Sequence, residues 1–480
     1  MLRKSLFILL AALLAAIPLT AQGGWIKNYG DADYQFGELV EETSDGGYFV
    51  MGNTISEQTK TDIWLLKTDE NGDTLWTKTY GGPLEEYGFS GQITSDGGFI
   101  IAGFTESFGA GKYDAWLLKI DPDGDTAWTR TYGDTGYDVA SSVHQTTDDG
   151  YIITGHRDGK FSQVTNYVIP GDIWLIKTQA DGTLMWEKTY GIPDQDYEEG
   201  LCVRQTSDGG YIVGCNGLEE PATMSAARLM KTDAAGDSVW VYRTSDDRWF
   251  NCVRQTSDGS YMIAGSIDTD LGIARFSETG TLMWEKTYGK SSPAYDWATW
   301  IEPTPDGNYI VTGIYGAILL GSNPRDADVW LLKVDENGDT LWTRLFGDNP
   351  EFDAGCCVKP ASDGGYIITG YSGTYSNGEY DICLIKTDSL GYVGVAEPVT
   401  HPSNWQISSS IGQQITLRYA DHPQGFHAQV FDASGRKVDE IHAGGTSGTI
   451  VWGDEQSPGV YFIRVDENKT PRTERVILVR

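Results

Sequence analysis

Short apolar runs that alternate with polar residues, each bounded by glycine-rich turns, recur along most of the chain. Within residues 62–82 one run ends at Thr68, Asn71 and Gly72 follow, and a second run extends from Leu75 to Tyr80. Aromatic, aliphatic and β-branched residues on both sides of an Asn-Gly pair predict a β-hairpin. Further copies of this hairpin occupy residues 114–133, 172–191, 226–244, 270–289, 328–347 and 381–395.

A second hairpin motif, built around an Asp-Gly-Gly-Tyr turn or a close variant of it, precedes each copy of the first. Its seven copies lie at residues 45–48, 96–99, 148–151, 208–211, 258–261, 306–309 and 363–366. One unit therefore holds four strands, a to d, which in the first unit are predicted at 37–43, 48–54, 63–68 and 75–80. Four-stranded units repeated every roughly 50 to 60 residues are typical of a β-propeller.

The two ends of the array are out of phase by one strand. Strand d of the seventh unit has decayed to residues 391–394, whereas residues 25–30 at the start match the strand d at 76–81. A linear array gives no reason for this offset, but in a ring the N-terminal strand completes the last unit. The sequence therefore predicts an all-β chain with a seven-bladed β-propeller over 23–393, followed by a small Ig-like β-sandwich over 405–480.

The repeats resemble those of secreted bacterial β-propeller proteins, which combine a TxDGGYxxxG hairpin with the motif DxWLLKxDxxGxxxWxKxYGG. The resemblance covers residues 25–393. It implies a fold and no particular activity, because such repeats occur in many extracellular proteins whose roles are unknown.

The N-terminal residues 1–22 have the features of a secretory signal peptide. Arg3 and Lys4 precede an apolar core at 6–17, and Ala21 ends a segment suited to cleavage. A linker is predicted at 394–404. In the mature chain we find no segment long and apolar enough to predict a membrane-spanning helix.

Residues 405–480 resemble the type A C-terminal sorting domain of the type IX secretion system. The matching segments are 430–438, 457–465 and a basic final strand at 475–480, while His401 and Pro402 replace the usual Asn-Pro opening. The resemblance implies that the secretion machinery is a partner of residues 405–480 and that the protein is secreted or lies at the outer cell surface. The tail is then either removed or used for attachment. An Ig-like domain of the flagellar hook-cap type is the alternative.

The charge and the motifs restrict the classes of function. A formal net charge of −33 argues against nucleic acid and anionic lipid as partners. The chain contains no GxSxG, HExxH, phosphate-loop or dinucleotide-binding motif. We therefore interpret it as a non-catalytic binding module for a glycan or protein at the cell surface. A carbohydrate-active enzyme, hydrolase or lyase, on a propeller scaffold is one alternative, and a structural surface component is another.

The c–d turns are the only segments that suggest a metal. Those at 69–73 and 121–125 are rich in Asp and could attract calcium, but the copy at 179–183 keeps the turn without most of the acids. A structural turn is therefore favoured over a calcium site. We predict no cofactor and no metal ligand, with calcium kept as the alternative.

Two of the six cysteines flank one predicted hairpin. If Thr206 pairs with Tyr211, Cys202 and Cys215 lie opposite each other. A disulfide and a pair of buried thiols are the two interpretations, because a bridge between adjacent strands is strained.

Residues that recur in every unit are expected to serve the architecture, so departures from the repeat indicate function. This assigns the Trp columns of strands c and d and the Lys column of strand c to packing. Strand directions place the a–b and c–d hairpins at one end of the sheets, here called the hairpin face. The longer d–a and b–c connections lie at the opposite end, the loop face, where binding is expected.

Strand a opens with an acidic residue in five units, on the loop face. These residues are Glu86, Asp138, Glu198, Asp296 and Asp353. We place them around the mouth of the channel. Capping of backbone amides in the neighbouring blade is the favoured role, and a cation or polar-ligand site is the alternative.

The fifth unit departs from this column. Arg248 stands where five other units have an acid and the first unit has Gln35. Trp249 follows it, beside Asp296 and Trp297 of the next unit. We predict a ligand-binding site formed by Arg248, Trp249, Asp296 and Trp297. The pair His156 and Arg157, from a long loop, is expected to lie nearby.

Overall fold

A computed structural model gives the fold of most of the chain. It describes residues 24–30, 33–56, 60–162, 167–191, 197–219, 224–244, 246–289, 294–320, 323–347, 351–376 and 380–393. In the C-terminal part it describes residues 405–407, 411–412, 414–419, 426–432, 436–453, 456–467 and 470–478. The chain divides into two compact units, 1–395 and 396–480. The predicted signal peptide at 1–22 and the predicted linker at 394–404 lie outside the described residues.

The first unit is an all-β repeat of antiparallel sheets, each with its four main strands in chain order apart from the last sheet. Sheet 1 contains β2 (Tyr34–Glu42), β3 (Tyr48–Ser56), β4 (Lys60–Thr68) and β5 (Thr74–Tyr80). Sheet 2 contains β6 (Glu86–Ile93), β7 (Phe99–Thr105), β8 (Asp114–Ile120) and β9 (Thr126–Tyr132). Sheet 3 contains β10 (Tyr137–Gln145), β11 (Tyr151–Ser162), β13 (Asp172–Thr178) and β14 (Leu184–Tyr190), with β12 (Tyr167–Ile169) paired to β11.

The next three sheets follow the same order. Sheet 4 contains β15 (Glu198–Gln205), β16 (Tyr211–Glu219), β17 (Met224–Thr232) and β18 (Ser238–Arg243). Sheet 5 contains β19 (Arg248–Gln255), β20 (Tyr261–Ile267), β21 (Asp270–Phe276) and β22 (Leu282–Tyr288). Sheet 6 contains β23 (Tyr295–Pro303), β24 (Tyr309–Leu320), β26 (Asp328–Val334) and β27 (Thr340–Phe346), with β25 (Asn323–Arg325) paired to β24.

Sheet 7 joins the two ends of the first unit. It contains β28 (Asp353–Pro360), β29 (Tyr366–Ser372) and β30 (Asp381–Thr387), and its fourth strand is β1 (Trp25–Tyr29). Strand β1 runs antiparallel to β30, with Trp25 opposite Lys386 and Tyr29 opposite Ile382. The predicted pairing of the N-terminal strand with the last repeat is therefore confirmed. Sheet 7 also packs on sheet 1, where the Phe36 and Tyr371 rings meet edge to face at 4.9 Å.

An ion pair fixes the a–b turn of every sheet to its strand c. The cation is buried under the turn, while the turn aspartate reaches solvent, and the N–O separations are 2.6–3.0 Å. The pairs are Lys67 with Asp45, Lys119 with Asp96, Lys177 with Asp148, Lys231 with Asp208, Arg275 with Asp258, Lys333 with Asp306 and Lys386 with Asp363. The basic column therefore serves the architecture, as predicted.

A second contact, the rim contact, joins each sheet to the next. A strand-d Trp lies over the c–d turn glycine of the following sheet, so closely that a Cβ there would come within 2.6–2.8 Å of the indole. The pairs are Trp25 with Gly72, Trp76 with Gly124, Trp128 with Gly182, Trp186 with Gly236, Trp240 with Gly280, Trp284 with Gly338 and Trp342 with Gly391. The predicted role of this Trp column in packing between sheets is confirmed, and sheet 7 contacts sheet 1 as any other neighbour would.

A tyrosine on the same strand completes most rim contacts. The Tyr80 hydroxyl donates to the Gly124 carbonyl at 2.6 Å, and Tyr29 does the same to Gly72 at 2.5 Å. Gly72 also has a φ of +75°, which favours glycine independently of the Trp25 ring above it. The residues of the motif Trp-x-Lys-x-Tyr therefore contact the adjacent sheet and not a ligand.

Two of the b–c connections contain regular structure. In sheets 3 and 6, β11 and β24 continue to Ser162 and Leu320 and pair with β12 and β25. Hairpin pairing satisfies backbone groups that would otherwise depend on water, so these insertions extend the sheet before they turn.

The predicted register of Cys202 and Cys215 is wrong. Gln205, not Thr206, pairs with Tyr211, and a bulge after Gly200 places Cys202 opposite Gly214 and Cys215 opposite Gly200. All six cysteines are free, and five are buried. The interpretation as thiols therefore holds for this pair.

The second unit contains two sheets that share one apolar core. One sheet has β31 (Trp405–Ile407), β33 (Ile415–Tyr419) and β36 (Gly448–Trp452). The other has β32 (Ile411–Gly412), β34 (Phe426–Asp432), β35 (Lys437–Ala443), β37 (Gly459–Glu467) and β38 (Thr470–Leu478). Leu417, Trp452, Phe426 and Ile463 lie in the common core. The last strand begins at Thr470, five residues before its predicted start at 475.

Candidate functional site

Three of the predicted site residues line a groove between sheets 5 and 6 on the loop face. Trp249, Asp296 and Trp297 border a cavity of about 370 Å³. The remaining lining residues are Asp247, Asn251, Ser266, Asp268, Thr269 and Tyr295. The sequence therefore located the wall of this groove, although it did not identify the residues of the b–c turn that complete it.

The groove exists because sheet 5 has a very short b–c connection. Strand β20 ends at Ile267, only Asp268 and Thr269 intervene, and β21 begins at Asp270. Asp268 has a φ of +54°, and its amide donates to the Asp247 carbonyl at 2.8 Å, which joins this turn to the d–a connection. In sheets 3 and 6 the b–c connections are longer and contain the additional strands β12 and β25. The two-residue b–c turn of sheet 5 is too short to cover the adjacent side of sheet 6.

The groove combines aromatic faces with acidic oxygens. Trp249 and Trp297 are half-buried and Tyr295 is 38% exposed, while Asp247 and Asp268 are exposed. Asp296 is different, because it is buried and accepts a hydrogen bond from the Gly316 amide at 2.6 Å. A few polar groups among large apolar rings are typical of sites that fix the orientation of a small ligand.

Arg248 does not contribute a free charge to the groove. Its guanidinium donates to both carboxylate oxygens of Asp246 at 2.7 Å and also contacts Glu285. Burial opposes the charge, but the hydrogen bonds that Arg248 donates to Asp246 and Glu285 raise its pKa above the usual value. The prediction that this arginine binds the ligand is corrected: it fixes the d–a connection to strand β22.

His156 and Arg157 also lie elsewhere. Both belong to strand β11 of sheet 3 and not to a loop, and neither lines the groove. Arg157 pairs with Asp134 at 3.2 Å and Glu187 at 3.1 Å. The His156 ring is buried with Nδ1 3.8 Å from Glu199, and the prediction that it joins the groove is wrong.

The five acidic residues predicted at the channel mouth are buried side chains, 0–1% exposed. Glu86 accepts hydrogen bonds from the amides of Gly82 at 2.6 Å and Ser107 at 3.0 Å, and Asp138 accepts from those of Asp134 and Asp158. Glu86 and Asp138 therefore cap the connections flanking their own strands, not those of a neighbouring sheet. Burial raises the pKa of Asp138 and Asp353.

Glu198 pairs with Arg228 of the same sheet. Both side chains are buried, so the carboxylate has a charged partner. Loss of either partner would leave an uncompensated buried charge.

A central cavity, lined by residues that the sequence did not identify, opens beside the groove. It measures about 280 Å³, and its lining draws on the first strand of all seven sheets. These residues are Glu38, Phe89, Ser90, Ser141, Ser142, Glu199, Leu201, Cys202, Arg204, Asn251, Thr299, Trp300 and Cys356. Asn251 borders both the cavity and the groove, so the two spaces are adjacent.

Trp300 lies at the hairpin-face end of this cavity. The side-chain cations of Arg204, Arg254 and Lys359 approach its ring at 5.8, 4.8 and 5.1 Å. Glu302 accepts from Arg254 at 2.8 Å and from the Trp300 indole N–H at 2.9 Å. Burial alone would raise the pKa of Glu302, but Arg254 and Lys359 lower it well below its usual value. This network ties sheets 4, 5, 6 and 7 together around the floor of the cavity.

Glu38 is the titratable group of the cavity with the most unusual environment. The Tyr87 hydroxyl donates to its carboxylate at 2.7 Å. Burial raises the pKa of Glu38 to about 7, although the hydrogen bonds from Tyr87 and Asn53 partly offset the effect. This carboxyl group therefore changes charge near neutral pH.

The acidic c–d turns use their oxygens internally. Asp69 accepts hydrogen bonds from the amides of Asn71 at 2.9 Å and Asp73 at 2.8 Å. The hydrogen bond from the Asp73 amide, and to a smaller extent that from the Asn71 amide, lowers the pKa of Asp69. These bonds favour the structural interpretation of the turn over calcium binding.

Comparisons with known proteins support no family assignment. No family model and no curated protein matches the chain. Solved structures that are similar include a protein of unknown function from Bacteroides caccae, with 10% identity, 66% of this chain and 94% of that chain covered, and a TM-score of 0.39. The Pan2 WD40 domain of Neurospora crassa has 8% identity, 75% and 91% coverage and a TM-score of 0.46.

A third similar structure is PorZ, an essential bacterial surface component of the type IX secretion system of Porphyromonas gingivalis. It has 12% identity and a TM-score of 0.45, and the match covers 94% of this chain. This chain spans 60% of the length of PorZ. Because these TM-scores are low, the fold assignment rests on the strand pairing and sheet packing.

No helix among the described residues has the length and apolar character needed to span a membrane.

Proposed function

We propose that residues 23–393 form a seven-bladed β-propeller that binds a glycan in the groove between blades 5 and 6. Sheets 1 to 7 are the blades. The propeller assignment is supported by the central cavity, because a ring is the simplest arrangement in which the first strands of seven sheets surround one space. The contact of Trp25 with Gly72 closes the ring with the geometry that joins the other blades.

The observation that carries the binding function is the grouping of Trp249, Tyr295 and Trp297 around one groove with Asp247 and Asp268. Ring faces offer apolar surface to the C–H groups of a sugar, and carboxylates accept hydrogen bonds from its hydroxyls. Elsewhere the Trp residues of strands c and d repeat from blade to blade and are covered by neighbouring chain. Trp249 and Trp297 are half-buried and Tyr295 is exposed, so their rings remain accessible in the groove.

The test is binding of a panel of neutral glycans to the purified protein and to Trp249→Ala and Trp297→Ala. We expect each substitution to weaken binding by at least about tenfold, because each removes an aromatic face from the groove. Phe161→Ala is the matched control, since Phe161 is 45% exposed and lies outside the groove. Arg248→Met should leave the affinity for the glycan unchanged, because the guanidinium is already paired with Asp246 and Glu285 and is not available to a ligand.

Equal affinity in Trp249→Ala, Trp297→Ala and the wild type would contradict the site. Capture of a surface protein without glycan binding would favour a protein partner. Turnover of a bound glycan would favour the enzyme alternative, for which Glu38 has the environment of a general acid.

We further propose that residues 405–480 form an Ig-like sandwich that directs secretion through the type IX system, leaving the protein secreted or on the outer cell surface. Support comes from the two sheets with a common core and from the sorting-domain resemblance of 430–438, 457–465 and 475–480. Deletion of 405–480 should retain the propeller in the periplasm, measured by cell fractionation. Normal export of the truncated chain would contradict the role of the tail.

A further inference from the structure

Two histidines and a glutamate converge on the solvent face of the second unit. His427 of β34 lies directly opposite His442 of β35, and their rings stack with centroids 4.4 Å apart and planes 18° apart. The neighbouring residues Phe426 and Ile441 point into the core, so strand alternation puts both imidazoles outside.

Glu440 completes the group from the same face. It precedes His442 by two residues on β35, and its carboxylate contacts both rings. One oxygen lies 2.9 Å from His427 Nε2, and the other lies 3.8 Å from His442 Nε2. The three potential ligand atoms all lie within 4.8 Å of one another.

We propose that His427, Glu440 and His442 bind a divalent transition-metal ion, with Zn²⁺ as the reference ion. Two imidazole nitrogens and one carboxylate oxygen are ligands that Zn²⁺ accepts, with water completing the tetrahedron. Tetrahedral metal–ligand bonds of about 2.0 to 2.2 Å separate the ligand atoms by about 3.4 Å. Side-chain rotations that move these atoms by about 1 to 1.5 Å would therefore bring them to coordination distance.

The surrounding charges make a definite prediction about Lys437. Its Nζ lies 2.9 Å from the same Glu440 oxygen that faces His427. A bound cation must displace the Lys437 ammonium, which therefore competes with the metal.

The position of the site suggests its structural effect. Strand β35 is the edge strand of its sheet among the described residues, and β34 is its partner. A metal held by both strands would link that edge to the sheet interior, as a cross-strand bridge does. The site lies in the second unit, so it is independent of the glycan groove.

Isothermal titration of the full chain with Zn²⁺ alone, purified without a polyhistidine tag, tests the proposal. We expect one ion per chain, with affinity reduced at least about tenfold in His427→Ala, His442→Ala and Glu440→Gln, because each loses a ligand. Lys437→Met should bind about threefold more tightly, because a positive charge next to the metal is removed. His422→Ala is the control for zinc binding by another histidine of the tail.

A second measurement separates the site from non-specific binding. Cu²⁺ bound to the wild-type chain should show electron paramagnetic resonance coupling to two imidazole nitrogens, reduced to one in either histidine variant. Zinc affinity unchanged in both histidine variants, or a copper signal unaffected by them, would overturn the proposal. Far-ultraviolet circular dichroism of each variant confirms that these exposed substitutions leave the fold intact.

Discussion

The hairpin face and the loop face of the first unit are built from the same seven repeats but differ in uniformity. At the hairpin face, every sheet joins its a–b turn to strand c through the same ion pair. At the loop face, the b–c connection has only two residues in sheet 5, whereas those of sheets 3 and 6 are long enough to contain the extra strands β12 and β25. The repeated residues therefore hold the sheets together, while the variable b–c connections shape the space available to a ligand.

The rim contacts show the same distinction within the scaffold itself. Between sheets 7 and 1, where the chain ends meet, Trp25, Lys27 and Tyr29 all contact the turn at Gly72 and Asp73. Between sheets 4 and 5, Trp240 still covers Gly280, but Tyr242 and Thr244 occupy the positions of the Lys and Tyr. The contact between sheets 7 and 1 is thus more complete than the contact between sheets 4 and 5, which borders the sheet that carries the groove.

Removal of β1 should have the largest effect, because it destroys a complete rim contact and the outer strand pairing of sheet 7. Deleting residues 24–30 leaves β30 paired only with β29 and uncovers Gly72, so we expect the loss of cooperative folding. The effect would match the whole stability of a domain, about 5 to 15 kcal/mol. Thermal unfolding and size-exclusion chromatography measure it.

The control for this deletion is removal of residues 1–23 alone, which should leave both measurements unchanged. A monomeric 24–30 deletion with the wild-type melting temperature would show that sheet 7 does not need its fourth strand.

The pH dependence of stability should differ between the central cavity and the hairpin face. Glu38 has a folded pKa raised to about 7 from 4.5, so the folded state binds more protons and stability falls as pH rises from 4.5 to 7. At Asp45, burial raises the pKa, but hydrogen bonds from Thr43 and Lys67 lower it from 3.8 to about 2. Its stabilising contribution is present above pH 3.8 and is lost as pH falls through 2.

Two substitutions separate these contributions. Glu38→Gln should flatten the decline between pH 4.5 and 7 and raise stability at pH 8, while Asp45→Asn should flatten only the acid limb. Urea denaturation across the pH range measures both. An unchanged slope from pH 4.5 to 7 in Glu38→Gln would contradict the raised pKa.

The smallest expected effect concerns a single hydroxyl in the rim contact. Tyr80→Phe removes the hydrogen bond to the Gly124 carbonyl and should cost about 0.5 to 1.5 kcal/mol. Phe346 occupies the same position in sheet 6, so Phe346→Tyr provides the reverse substitution and should stabilise the contact with sheet 7 by up to about as much. Chemical denaturation measures both changes, and opposite signs are expected.

The strand pattern, the repeat number and the out-of-phase ends could be predicted from the sequence because each is a local property. Alternation and turn chemistry identify a hairpin such as 62–82 without knowledge of its neighbours, and Trp25 resembles Trp76 because both make the same contact. The departure of Arg248 from the acidic column likewise indicated the neighbouring Trp249 and Trp297.

Only the tertiary structure decided which side chains are available to a ligand. Arg248 looks functional in the sequence, yet its charge is paired. Glu86 of the acidic column was expected to cap a neighbouring blade, yet it is buried beneath its own connections. The lining of the central cavity was missed because its residues come from seven strands far apart in the chain. Burial, charge pairing and cavity shape depend on distances between distant segments, whereas a repeat unit records its own fold in its local pattern.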